Sequence, residues 1–137
     1  MQNEIDTPQL TNEDISQLNG LSMAHLIIGW LGVLLSLFPL IHVAIGIGIL
    51  SGAIEAEAPP FLGWLFLGLG CAFVILGEAA SICLILSGKH LKQRTGYTFS
   101  FVVACIACIN VPIGTILGVF TLIVLARPAV KAAFGKA

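Results

Sequence analysis

Few residues here have the type and spacing that chemistry needs. Glu78 stands apart from the other acids: six of the seven lie before residue 58, whereas Glu78 falls inside an apolar run. An ionisable group in hydrocarbon costs about 2.5–3.5 kcal/mol on insertion and as a rule faces a partner or water. Glu78 therefore reads as a proton-carrying or ion-binding carboxylate, or as a neutral, hydrogen-bonded group that joins helices. The second is the expected reading, since burial favours the uncharged form. His42 invites pairing with Glu78. Counting along helices from the 51–60 loop puts His42 about 12 Å below one surface and Glu78 about 25 Å below it, too far apart for contact. The same counting predicts one polar layer of His42 with Asn110 and another of Glu78 with Cys105 and Thr115. His42 reads as a structural histidine, for no buried acid is expected beside it.

Cys105 and Cys108 have CxxC spacing, and Cys71 and Cys83 complete the set of four cysteines. Reactive cysteines need an electropositive, accessible setting, and zinc needs four ligands. These lie in apolar runs without an adjacent base, so they read as small packed residues. Gly46 and Gly48 lack the GxxxxGK[ST] context of a phosphate loop. No nucleophile has its base nearby, so no catalytic site, metal or cofactor is expected, and the chain does not read as an enzyme.

The elements that would hold these residues follow from composition. Hydrophobic residues make up 58% and charged residues 9%, with a mean hydropathy of +1.04, far from the usual soluble mixture. The expected fold class is an all-α integral membrane bundle. Residues 1–20 form a polar head without Lys or Arg. Thr11 and Asp14 ahead of Ile15 and Leu18 suggest a capped surface helix, and a disordered tail is the competing reading. The head lacks the basic and short apolar regions of a signal peptide.

Apolar blocks follow at 21–50, 61–87 and 97–126. A span needs about 20 residues at 1.5 Å each, so the middle block is one span. The outer blocks, about 45 Å long as unbroken helices, each carry a proline, Pro39 or Pro112, which removes a donor and breaks or kinks a helix. The basic loop 88–96, with Lys89, Lys92 and Arg94, and the basic tail 127–137, with Arg127, Lys131 and Lys136, both read as cytoplasmic. An even number of passes must separate them, so 97–110 and 113–126 read as a hairpin, full or re-entrant. The first block reads as one kinked span. That gives four membrane segments within 21–126 and both termini in the cytoplasm. His90 in the basic loop reads as part of this topology signal.

The run Leu37-Phe-Pro-Leu-Ile-His42, the Pro59-Pro-Phe-Leu-Gly-Trp64 segment and above all Pro112-Ile-Gly-Thr-Ile-Leu-Gly118 resemble a diffuse group of small bacterial inner-membrane proteins. The resemblance spans about residues 23–134. It implies a multi-pass protein of a bacterial inner membrane, and implies no activity or functional residues.

Small residues supply the packing signals. Gly114 and Gly118 form a GxxxG, and Gly68 with Ala72 and Gly77 with Ser81 form small-xxx-small pairs that let helix backbones approach. The middle span is expected to pack on the hairpin through them, with joining of two copies as the alternative. Trp64 and Tyr97 suit the two interfaces, and Val130 and Phe134 can lie on lipid beside Lys131 and Lys136. The expected partners are the bilayer and a second copy or another membrane protein, with nucleic acid excluded by the near-neutral charge. The expected role is structural or accessory; a small proton or ion transporting unit using Glu78 is the alternative.

Overall fold

A computed structural model describes residues 9–54 and 59–136. The described chain is all helical: α1 Asn12–Ser36, α2 Leu40–Leu50, α3 Pro60–Gln93, α4 Tyr97–Ala107, α5 Ile113–Leu125 and α6 Pro128–Ala133. Two helical runs, Asn12–Leu50 and Pro60–Gln93, are long and apolar enough to cross a membrane.

The first helix starts at Asn12, inside the polar head, because the head carries its cap. The Thr11 hydroxyl accepts from the Asp14 N–H at 3.1 Å and donates to Asp14 Oδ2 at 2.8 Å, while the Thr11 N–H donates to the same oxygen at 3.1 Å. This reciprocal box satisfies donors that a helix start leaves open. Pro39 separates α1 from α2. Around it, turns of the i to i+3 type carry the chain on: Leu40 N–H reaches the Leu37 carbonyl at 3.0 Å and His42 N–H reaches that of Pro39 at 2.9 Å. The interruption is thus a local tightening of the helix.

The chain divides into two compact units. One comprises Gly29–Ile82: the end of α1, all of α2 and most of α3. Here the first helical run lies antiparallel on α3, and small residues mark each crossing point. A Cβ placed on Gly77 would stand 2.7 Å from Ser36 Cβ, and one on Gly32 would stand 2.6 Å from Ser81 Oγ. Further along, Gly70 faces Val43, Gly46 faces the backbone of Gly63 and Leu67, and Gly63 faces Leu50. Gly63, Gly70 and Gly77 recur every seven residues, the period that keeps one helix face against a partner in a left-handed supercoil. Gly77 and Ser81 are thereby used against α1, and not against the hairpin as expected. Spacing defines a face but not its neighbour, and the neighbour here is the preceding helix. Gly68 has nothing within 4 Å of an added Cβ, and Ala72 is exposed.

The other unit combines the chain up to Ile28 with the chain from Cys83 on. Its core is Leu18, Leu21, Leu91, Leu117, Val124, Leu125 and Val130, with Tyr97 and Phe134 packed against it. Gly88 brings α1 and α3 together: its added Cβ would lie 2.9 Å from the Ser22 carbonyl oxygen, and the Ser22 hydroxyl donates to the Gly88 carbonyl at 2.7 Å. α3 ends where Arg94 adopts φ 53°, with the Thr95 N–H on the His90 carbonyl and the Arg94 N–H on that of Leu91, a left-handed C-terminal cap. α4 and α5 form a tight hairpin. Gly114 and Gly118 pack on the Ala107 and Ala104 carbonyls of α4, so the GxxxG closes the hairpin on itself. At its open end the Tyr97 hydroxyl donates to the Leu125 carbonyl at 3.0 Å.

The close approach at Gly46 sets a test. A methyl there would meet Leu67 N at 2.6 Å and the Gly63 carbonyl at 2.8 Å, backbone atoms that cannot rotate away. Gly46→Ala is expected to lower unfolding free energy by about 1–3 kcal/mol. Gly68→Ala is expected to leave it unchanged or raise it by up to about 1 kcal/mol, the gain in helix propensity. Unfolding of the purified variants followed by circular dichroism measures both.

Candidate functional site

The polar side chains of the helices fall into small groups, each built within its own unit. In the Gly29–Ile82 unit the Ser36 hydroxyl donates to Glu78 Oε1 at 2.7 Å and, in a shared geometry, to the Val33 carbonyl at 2.8 Å. Ser36 is buried and Glu78 half-buried. The pair exists because Gly77 lets Ser36 touch α3 one residue before the carboxyl group. Glu78 thus ties α1 to α3, and its hydrogen bond goes to Ser36, where the sequence suggested a layer with Cys105 and Thr115.

His42 stacks on Phe66, with ring centroids 5.9 Å apart and planes 20° apart. Its Nδ1 is buried without a hydrogen-bond partner. Asn110 is exposed in the α4–α5 turn, where its carbonyl accepts the Thr115 N–H at 3.2 Å. The Thr115 hydroxyl donates to the Cys108 carbonyl at 2.8 Å. Thr115 therefore serves the turn after the broken helix: its hydroxyl takes up the Cys108 carbonyl that Pro112 leaves without an amide donor, and its N–H takes up that of Asn110. All four cysteines are free; Cys71 and Cys105 are exposed, Cys83 and Cys108 half-buried. Among the described residues no three His, Cys, Asp or Glu side chains gather as a metal site would require.

The most enclosed ionisable group among the described residues is one that sequence reasoning passed over. His25 is fully buried. Its Nδ1 lies 2.9 Å from the Leu21 carbonyl oxygen. That oxygen only accepts, so Nδ1 carries a hydrogen and donates to it. Nε2 has no partner, nor do the hydroxyls of Ser87 and Ser100, both fully buried in the same unit. The signal was present in the spacing: Leu18, Leu21, Ser22 and His25 follow i, i+3, i+4, i+7 and are all buried. The residues that follow, Leu26, Ile27 and Ile28, are apolar on every side of the helix, which hid the stripe.

An ion pair closes the end of this unit. Arg127 Nη1 stands 2.7 Å from Asp14 Oδ1, whose other oxygen is held by Thr11. The first turn of α1 is thereby bound to the residue between α5 and α6, and the Val130 side chain of α6 is fully buried. Phe134 meets the Tyr97 ring edge-on at 5.8 Å. No family model, curated protein or solved structure matches this chain, so the geometry itself carries the functional reading.

Arg127 first, and Thr11 second, hold the Asp14 carboxyl below its ordinary value of 3.8. A depressed value in the folded state means that the stabilisation is complete above the ordinary value and fades as pH falls through the folded one. Amide exchange of residues 128–134, taken relative to the intrinsic rate at each pH, is therefore expected to accelerate once the pH drops below about 4. Asp14→Asn should accelerate it already at neutral pH, as measured by exchange mass spectrometry.

Proposed function

We propose that this chain is a multi-pass helical membrane protein of structural or accessory role, which presents an open face of α3 to a helix of another membrane protein or a second copy. The observation that carries the membrane reading is where the large apolar side chains point. Trp30, Leu34, Phe61 and Leu76 are all more than 60% exposed. Only 11% of the most apolar stretch of either long helical run is buried. A core helix of a water-soluble protein is mostly covered, and exposed apolar patches beyond a few hundred Å² mark an interaction or membrane surface. Meanwhile Ser22, His25, Ser36, Ser81, Ser87, Ser100 and Thr121 are buried. Small and polar inside with large and apolar outside is the pattern that lipid-embedded helices adopt.

The Asp14–Arg127 pair supports the orientation. It holds the start of α1 at the end of its unit where α5 finishes, and the Tyr97–Leu125 bond brings the start of α4 to that same end. With basic segments cytoplasmic, the N-terminal segment belongs on the cytoplasmic side as well, so the apolar block 21–50 crosses once. α4 and α5, with 11 and 13 residues, reach about 17 and 20 Å, short of a 30 Å core. They suit a re-entrant hairpin in whose turn Thr115 satisfies the Cys108 and Asn110 carbonyls. The resemblance of the Pro112–Gly118 segment suggests a bacterial inner membrane as the setting.

The accessory role rests on Gly68 and Ala72. Every other glycine of α3 is closed by a neighbouring side chain or backbone, whereas Gly68 is open. Because lipid gives helices no hydrophobic reason to associate, an uncovered small face is where a further helix packs closely. A cysteine reporter at Gly68, on a background without native cysteines, tests this in native membranes with a membrane-permeant bis-maleimide. A discrete higher-mass adduct is expected, lost with Ala72→Ile alongside the reporter. A strictly monomeric protein without any adduct would end the accessory reading.

A further inference from the structure

A cleft of about 290 Å³ lies between α1 and the end of α3, lined by Asn19, Ser22, Met23, Leu26 and Lys92. The four α1 residues are spaced i, i+3, i+4 and i+7, so they form one stripe along the helix. Its character changes along its length. Asn19, at the end near the polar head, offers an amide, and Met23 and Leu26 offer only apolar surface. Seven residues of helix span about 10 Å. The Ser22 hydroxyl is already committed to the Gly88 carbonyl, which fixes the floor where the two helices touch.

Lys92 supplies the charge. Among the described residues the one ion pair is Asp14–Arg127, so no described carboxylate neutralises Lys92. The His90 and Leu91 carbonyls near the end of α3 are engaged by the Thr95 and Arg94 N–H groups, and of the cleft's lining residues Lys92 alone is charged. A ligand that fits needs an anionic head for Lys92 and Asn19 and a hydrocarbon chain for Met23 and Leu26. We propose that the cleft binds an anionic phospholipid of the leaflet facing the basic loop, with its phosphate at Lys92 and Asn19 and one acyl chain along Met23 and Leu26. Basic pockets between membrane helices on the cytoplasmic side bind anionic headgroups by this chemistry. The proposal rests on the membrane reading and adds to it a ligand, a place and a charge.

The test uses the full chain purified in a neutral detergent, titrated by native mass spectrometry with phosphatidylglycerol, with phosphatidylcholine of the same chains, and with inorganic phosphate. The proposal expects phosphatidylglycerol to bind about tenfold more tightly than phosphatidylcholine, the ratio that about 1.4 kcal/mol of charge-assisted hydrogen bonding gives. Lys92→Gln should abolish that preference, Lys136→Gln should keep it, and Leu26→Trp, which fills the apolar half, should weaken both lipids. Equal binding of the two lipids, or equal effects of Lys92→Gln and Lys136→Gln, would overturn the proposal. Displacement of the lipid by inorganic phosphate alone would also overturn it, by making the site one for a free anion. Alkaline extraction of membranes separates this outcome from failure of the membrane reading: the chain in the pellet with no lipid preference rejects only the cleft, whereas the chain in the supernatant rejects the membrane reading.

Discussion

Helix backbones that touch where side chains are missing are the constraint on which the architecture depends. In the Gly29–Ile82 unit large apolar groups such as Trp30, Leu34, Phe61 and Leu76 point outward, so burial of hydrocarbon contributes little to holding that unit together. What remains is dispersion across a close interface, and dispersion falls steeply with a gap of even half an ångström. Gly32, Gly46, Gly63, Gly70 and Gly77 remove that gap. Each glycine costs a helix about 1 kcal/mol of propensity relative to alanine, a cost that dense packing along the seam offsets. The seven-residue recurrence on α3 lets the contact persist through the Pro39 interruption, because α2 resumes on the same face.

The polar groups take their positions from that seam. Ser36 reaches Glu78 because Gly77 has no side chain to hold the helices apart, and Ser22 reaches the Gly88 carbonyl for the same reason. The half-buried Glu78 carboxyl bonded to Ser36 of the neighbouring helix is a joint between the two. His25, Ser87 and Ser100 show the converse. They are buried polar groups whose remaining valences are unpaired, and such groups rigidify a core only when a partner completes them.

The all-helical class was legible in composition and hydropathy, since lipid-like apolar runs of this length leave the backbone few ways to satisfy itself. The helix start at Thr11 was legible as a capping pattern, though its continuity with the apolar block was not: the polar residues 12–20 read as a separate head until Arg127 appears beside Asp14. That pairing links positions far apart in sequence, and nothing local announces it. The small residues were visible as spacing, but spacing does not say which helix comes close. Gly77 with Ser81 and Gly114 with Gly118 met neighbours other than those expected, and depth counting alone could not have paired Glu78 with Ser36. His25 escaped notice because both faces of its helix are apolar in sequence.

In the Gly29–Ile82 unit the helix contact is closed by glycine and serine, and the Gly68 face of α3 is left open. The most direct test of the seam is a disulfide across it. Cysteines placed at Ser36 and Gly77, on a background without native cysteines, have Cβ positions 2.7 Å apart before relaxation, so the helices part by about 1 Å to reach the roughly 3.8 Å of a typical disulfide. Under mild oxidation in membranes this account predicts rapid intramolecular bonding for that pair and none for Ser36 paired with Gly68. Equal bonding of the two pairs would contradict the seam and the architecture that rests on it.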